Sequence, residues 1–286
     1  MQANFLSVVL LPLALAVIMM GLGLSLRIAD FKRVLIFPKA VLIGLLCQMI
    51  LLPVICYFIA SGFRLSPELA VGLMLLSASP GGPTANLYSH IAKGDVALNV
   101  TLTAINSLIS VFSITFIVNF AMDIFMQSDQ AIPLQFKKVV EVCVVVLGPV
   151  SIGMIIRAYA SNFAEKLSKP VKIASASFLA LVIVLTIIKE KSHIVQDFQM
   201  VGLPTLLLNI LSMAIGYFVP RLFNLPKPQA IAIGMEIGIH NGTLAIFIAL
   251  SVIGNSAMST PAVIYSLIMF FTAAIFGYLV NLKNQV

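Results

Sequence analysis

Long apolar runs separated by short polar connections set the pattern of this chain. Crossing a hydrocarbon core takes about 17–25 apolar residues at ~1.5 Å each. Nine stretches qualify: 5–26, 38–61, 67–92, 95–123, 138–159, 171–189, 200–220, 228–254 and 259–282. The pattern predicts an all-α integral membrane protein with nine transmembrane helices. Two of the nine are interrupted in mid-span. In 68–95, ELAVGLMLLSASPGGPTANLYSHIAKGD, Pro80 removes a backbone donor, Gly81 and Gly82 permit unusual dihedrals, and Pro83 suits the first turn of a new helix. The helix is expected to break near 80–83 and restart. In 230–254, AIAIGMEIGIHNGTLAIFIALSVIG, Gly234, Gly238 and Gly242 surround Glu236, His240 and Asn241. That glycine spacing alone would suit a packing face, but a Glu, a His and an Asn so close together point to a second break.

Irregular backbone is not tolerated against lipid, so both breaks must be buried in protein or line a wet cavity. Two interrupted spans in corresponding halves, each followed by one long span (95–123 and 259–282), are the signature of a secondary transporter built from inverted repeats. Its site is expected where the half-helices meet.

Composition fixes the setting. Sixty per cent of residues are hydrophobic, 9% are charged and the mean hydropathy is +1.10, which excludes a water-soluble domain. The net charge of +7 does not indicate nucleic-acid binding, because the Lys and Arg lie in short connections between apolar segments. With the N-terminus outside, 12 of the 17 basic residues fall inside and 5, namely Arg64, Lys137, Lys138, Lys189 and Lys191, fall outside. The bias predicts a multi-pass protein of the inner (cytoplasmic) membrane, N-out and C-in. The first run is too long for a signal-peptide h-region and follows no basic n-region, so it reads as an uncleaved anchor. Cys47, Cys56 and Cys143 lie within predicted spans at no metal-ligand spacing and read as packing residues.

Glu236 is the one carboxylate of ten that sits deep in an apolar stretch. A charge at the bilayer centre costs roughly 2.5–3.5 kcal/mol even on lenient scales, and no mid-span Lys or Arg neutralises this one. A bound cation or a proton must. Other polar side chains gather around the breaks: Asn86 after the first, Asn99 and Thr103 spaced i, i+4 on the next span, and Gln48 in LIGLLCQMILLP. Carboxylate, amide, hydroxyl and freed backbone carbonyl oxygens are what a hard cation such as Na+ takes. Taken singly, each Asn, Gln or Thr also suits an interhelical or backbone hydrogen bond. The starts of the second half-helices, near Pro83–Asn86 and Asn241–Thr243, offer unsatisfied N–H groups to an anionic substrate. Pro83, Thr84, Asn86, Asn241, Gly242 and Thr243 are the candidate contacts. Proton coupling through Glu236 and His240, one turn apart, is the alternative. An intramembrane enzyme is disfavoured by the single mid-span acid and the absence of HExxH. A channel is disfavoured because one acid makes no ring of charge without oligomerisation.

The stretches SPGGPTANLYSHIAKGDVALNVTLTA, EIGIHNGTLA and GLGLSLRIADF resemble the bile acid:sodium symporter family over nearly the whole chain. The resemblance implies a core domain (37–124 and 200–282) with two crossing broken helices and a panel domain (1–36 and 137–190). It implies alternating access between them and two Na+ sites, in a nine-span form lacking the first panel helix. The first site would use Asn86, Asn99, Thr103 and Glu236. Ala85 stands where a Ser is frequent and Asn99 replaces a second Ser, so the longer amide of Asn99 could supply the missing oxygen. The second site would use Gln48, Glu236, His240 and carbonyls near Ile237 and Ile239. His240 stands where Gln is common and offers a nitrogen where Na+ prefers oxygen, leaving open whether it ligates, orients Glu236 or titrates. The implied substrate is an organic anion, a bile acid or a small carboxylate such as pantoate. The arsenite-exporting relatives are disfavoured because no Cys sits at a break. No protein partner is implied.

Overall fold

The computed structural model describes residues 9–126, 136–189 and 194–282, and it is helical throughout these ranges apart from short connections. The start of the first predicted span, 5–8, and Lys191 and Lys283 of the charge count lie outside the described residues. The helices are α1 (Leu11–Ser25), α2 (Ile28–Lys32), α3 (Pro38–Leu46), α4 (Leu52–Gly62), α5 (Pro67–Ala78), α6 (Pro83–Ile91), α7 (Val96–Phe125), α8 (Phe136–Tyr159), α9 (Ser161–Lys189), α10 (Ile194–Leu222), α11 (Lys227–Gly238), α12 (Gly242–Phe247) and α13 (Thr260–Leu282). Among the described residues, five helical stretches are long and apolar enough to cross a membrane: Pro38–Gly62, Val96–Phe125, Val140–Tyr159, Phe198–Leu222 and Ala257–Leu282. A sixth forms if α1 and the segment Ile28–Leu35, which bends from it by 72°, count as one span.

Several boundaries follow from local chemistry. Asp30 caps the turn after α1: it accepts the Arg27 N–H at 2.7 Å and pairs with Arg33 at 2.8 Å. That makes α2 a short helix where the sequence suggested only a basic connection. Between α3 and α4 the helix widens into one π-turn, Cys47–Leu51, just before Pro53. A proline ring inside a helix clashes with the carbonyl four residues back and removes a donor, and one π-turn accommodates both.

The sixth span needs correction. It was expected at 171–189, with Lys166 and Lys169 in the connection before it and Lys172 at its start, but α9 begins at Ser161 and runs through Pro170. A helix continues wherever its backbone is satisfied, whereas a hydropathy threshold marks only its apolar part. The charges therefore ride on the helix itself. In the same way α10 begins at Ile194, ahead of the expected 200, and continues through Pro204.

The centre of the molecule is formed by the interrupted elements. Every residue of α5 from Leu69 to Ala78, of α11 from Ala230 to Gly238 and of α12 is buried. Around them stand α7, α10, α13 and the α3–α4 span. Close approach uses small residues: a Cβ on Gly216 of α10 would run into the Gly234 backbone and Ile237 of α11. Such pairs let helix backbones approach where lipid supplies no hydrophobic drive for association. A second bundle packs α1 against α8 and α9, with Gly23 and Gly153 interlocked at the α1–α8 crossing.

Candidate functional site

Both predicted interruptions are present. α5 ends at Ala78 with Ser79 extended, and α6 restarts with Pro83 in its first turn. α11 ends at Gly238 with Ile239 extended, and Asn241 caps α12 by accepting the Leu244 N–H at 3.1 Å. The breaks pair with each other. Gly82 donates its N–H to the Ile239 carbonyl at 2.9 Å and Asn241 donates to the Pro80 carbonyl at 2.8 Å, an antiparallel bridge centred on Gly81 and His240. Each interruption thus satisfies backbone groups freed by the other, and irregular chain survives in a fully buried setting. The glycine spacing in the second break proves to be packing as well: Gly234 and Gly238 both face Met213 of α10.

Beside this bridge lies the Glu236 carboxylate, with no exposed surface. Thr103 Oγ1 donates to its Oε2 at 2.6 Å and Asn106 Nδ2 to its Oε1 at 3.2 Å. Both donors are neutral, and both stand on α7. Gly81 packs so tightly on the carboxylate that a Cβ there would overlap all three carboxyl atoms. Asn99, one turn before Thr103, donates Nδ2 to the Ala232 carbonyl at 2.7 Å and leaves its side-chain Oδ1 unpaired. Asn106 Oδ1 is unpaired too.

A second cluster forms on the Ser79 carbonyl. Gln48 Nε2 donates to it at 3.0 Å and to the Ser77 carbonyl at 3.2 Å, while His240 Nδ1 meets the same Ser79 oxygen at 2.9 Å. The carbonyl can only accept, so Nδ1 carries a proton, and in the neutral imidazole Nε2 is then the lone-pair nitrogen. Gln48 Oε1 and His240 Nε2 are buried without partners. His240 also stands edge-on to Tyr265, with ring centroids 5.2 Å apart. Behind it, Tyr265 and Asn209 both donate to the Gly238 carbonyl at 2.9 Å, and the side-chain oxygen Oδ1 of Asn209 has no partner.

The sequence-derived candidates are therefore distributed as follows. Thr103 and Glu236 touch directly, and Asn99 joins them through its main chain, whose carbonyl lies 3.0 Å from Thr103 Oγ1. Gln48 and His240 meet at Ser79 instead of at Glu236. The Ile239 carbonyl accepts from Gly82, Ile237 is buried in α11, and Asn86 is half-buried on α6 with an unpaired carbonyl. Of the anion-contact set, Thr84 is exposed and Pro83 half-buried, whereas Asn241, Gly242 and Thr243 are buried. Asn106, Asn209 and Tyr265 were missed. Asn106 had a signal, because Asn99, Thr103 and Asn106 follow at i, i+4 and i+7 on one face; Asn209 and Tyr265 had none, because no spacing within their own spans ties them to the breaks.

An unpaired buried polar group costs roughly 1–3 kcal/mol. Here the amide oxygens of Asn99 and Asn106 share that condition on the helix that donates to the buried carboxylate, and those of Gln48 and Asn209 share it beside the two breaks, while Asn86 on α6 and Asn281 on α13 each carry another. The donor set is oxygen-rich and singly acidic, with no group of three or more His, Cys, Asp or Glu among the described residues. It suits a hard monovalent cation better than a transition metal.

Comparison with known proteins gives the lineage. The profile of the sodium bile acid symporter family matches residues 12–197. The chain is 26% identical over 236 residues to the uncharacterized sodium-dependent transporter YocS of Bacillus subtilis, covering 82% of this chain and 72% of that one. It is 27% identical over 252 residues to the probable chloroplastic sodium/metabolite cotransporter BASS1 of Arabidopsis thaliana, covering 88% and 62%. To the human ileal sodium/bile acid cotransporter it is 26% identical over 290 residues, covering 98% and 82%. The chain thus spans about three fifths of the plant relative's length. A family match over residues 12–197, about two thirds of the chain, places this protein in the sodium bile acid symporter family.

Proposed function

We propose that this protein is a sodium-coupled secondary symporter of an organic anion, working by alternating access. The observation that carries the reading is Glu236: a fully buried carboxylate held by two neutral side-chain donors, with unpaired amide oxygens around the breaks it adjoins. A sodium ion would supply the missing charge. The Glu236, Thr103 and Asn99 group, with Asn106 added and Asn86 on the adjoining half-helix, is suited to the first ion. Gln48, His240 and the carbonyls of Ile237 and Ile239 are suited to a second. When bound, sodium would neutralise the carboxylate and tie α7 to the breaks.

The anion would meet the starts of α6 and α12, through Pro83, Thr84, Asn86, Asn241, Gly242 and Thr243. Exposure of Thr84 and burial of Asn241 and Thr243 fit a cycle that opens the second half-helix start in another conformation. In this reading residues 37–124 and 200–282 form the ion-binding core, and 1–36 and 137–190 the panel against which it rocks. Nine spans run N-out to C-in across the inner membrane. The substrate is an organic anion by analogy with the bile acid and metabolite cotransporters among the relatives, and the chain is not an enzyme.

Proton coupling has one specific observation in its favour. The single Thr103 hydroxyl proton lies between two acceptors, the Asn99 carbonyl and Glu236 Oε2. A protonated Glu236 could donate to Thr103 and free that proton for Asn99.

The deciding measurement is the thermal stability of the purified protein in NaCl and in KCl at equal ionic strength, with Glu236→Ala alongside. A ligand that binds only the folded state raises its apparent stability. Stabilisation by sodium that disappears in the variant is expected. A response to pH alone, with none to sodium, would replace sodium by the proton.

A further inference from the structure

On the opposite bundle, where α1 turns into α2 beside the junction of α8 and α9, lies a cavity of about 270 Å³ lined by Leu26, Arg27, Ile28, Met154, Arg157, Ala158 and Ser161. Two guanidinium-bearing residues from different elements border it. Among the described residues neither Arg27 nor Arg157 forms an ion pair, and the nearby Asp30 is held by Arg33. Among the described residues the Arg157 guanidinium makes one polar contact, a long one of 3.5 Å to the Ser161 carbonyl. Two like charges bordering one cavity with no acid in its lining repel each other, and a shared anion removes that repulsion.

The level of the cavity in the membrane is fixed by its walls. α1 ends at Ser25 and α8 at Tyr159, so Arg27 lies just beyond one span and Arg157 in the last turn of another. The segment after the 72° bend exposes Ile28, Leu35 and Ile36, and the end of α8 exposes Tyr159. Apolar side chains displayed on a short bent segment, with a Tyr at the neighbouring span end, mark the boundary between hydrocarbon and headgroups. The cavity is two-natured in the same sense: Leu26, Ile28, Met154 and Ala158 are apolar, while Arg27, Arg157 and the Ser161 hydroxyl are donors. Its volume is that of about nine waters at ~30 Å³ each, enough for a phosphodiester with its glycerol.

We propose that this cavity binds a phosphate group, supplied by the headgroup of an anionic phospholipid. The two guanidinium groups grip the phosphate oxygens from both sides, a geometry Arg provides better than Lys. The glycerol and first methylenes lie on the apolar wall. Such a lipid clamps the end of α1 to the end of α8 at the membrane surface, as basic pockets between spans do with acidic headgroups. Inorganic phosphate has the same charge and oxygen geometry but lacks the apolar part, so it should bind more weakly.

The test uses full-length protein in vesicles of phosphatidylcholine, with or without phosphatidylglycerol, and in phosphatidylcholine with added inorganic phosphate. The thermal midpoint is read together with the lipid retained after extraction, by mass spectrometry. Phosphatidylglycerol is expected to raise the midpoint by roughly 5 °C and to be retained, and both effects should vanish in Arg27→Gln/Arg157→Gln. The charge control Lys166→Gln/Lys169→Gln removes two exposed cations of α9 outside the cavity and should keep both. An equal response to inorganic phosphate alone would keep the anion site and make its source soluble. Equal phosphatidylglycerol retention by wild type and the arginine double variant would overturn the proposal, as would loss in the lysine control as large as in that variant. Because neither Arg is part of the ion site, failure here leaves the sodium response of Glu236 untouched.

Discussion

Gly81→Ala tests the site through one methyl group. The new Cβ would overlap the Glu236 carboxylate, and non-bonded carbon contacts are comfortable only near ~3.5–4.0 Å. The carboxylate therefore has to retreat by about an ångström. The Thr103 bond, 2.6 Å long, does not survive such a shift, since hydrogen bonds weaken steeply beyond their normal range. A hydrogen bond to a charged group contributes roughly 1.5–3 kcal/mol, and each ~1.4 kcal/mol is tenfold in an equilibrium constant. The sodium concentration giving half of the thermal stabilisation should rise about 10- to 100-fold. Gly82→Ala is the matched control. Gly82 has φ −94°, and its Cβ would meet the His240 carbonyl at an ordinary 3.6 Å, so its sodium response should stay near wild type. Glu236→Asp shortens the side chain by one methylene, so combining it with Gly81→Ala should relieve the overlap and give a non-additive cycle. A Gly81→Ala protein with an unchanged sodium midpoint would refute the placement of the carboxylate against the break.

Gln48→Leu keeps the volume but removes both bonds to the Ser77 and Ser79 carbonyls, so about 2 kcal/mol of stability should be lost. Scanning calorimetry or a thiol-dye melt checks it, and the sodium response should become less steep where Oε1 serves a second ion. His240→Gln retains a donor for the Ser79 carbonyl and presents an oxygen in place of the lone-pair nitrogen. The half-effective sodium concentration should fall in the same titration, whereas a rise would show that the imidazole itself is what the site uses.

Much of this architecture was legible because membrane folding restricts the options. Pro80, Gly81, Gly82 and Pro83 cannot continue a helix together, so the first break falls at Ser79–Gly82 almost where those residues predict. Glu236 was legible for a different reason: an uncompensated acid in an apolar run has no inexpensive structural use. The start of α9 was not legible, because Lys166 and Lys169 look like a connection to a hydropathy scale while the backbone forms a helix through them. Nor was the turn into α2, whose short helix depends on Asp30 serving both the Arg27 N–H and Arg33. Asn106 is the intermediate case. Its helical spacing from Thr103 was visible, but only the fold brings α7 alongside α11 and turns a polar stripe into the lining of a carboxylate.

The partnership between the breaks is the part no local pattern contains. Gly81 and His240 are far apart in sequence, yet the backbone exchange around them joins two interruptions into one mechanical unit. Gln48 reaches that unit through Ser79, and Glu236 lies against it through Gly81. Under the proposed function this connectivity explains how an ion can act on an anion site it does not touch. An ion drawn to the Glu236 and Asn99 oxygens fixes α7 against α11, and through Gly81 it fixes where α6 begins. The start of α6 is where Pro83 and Thr84 would meet the substrate. Differential affinity for two arrangements of a shared element is all that coupling requires. In that reading the paired breaks are such an element, since neither can move relative to the other without breaking the two hydrogen bonds that join them.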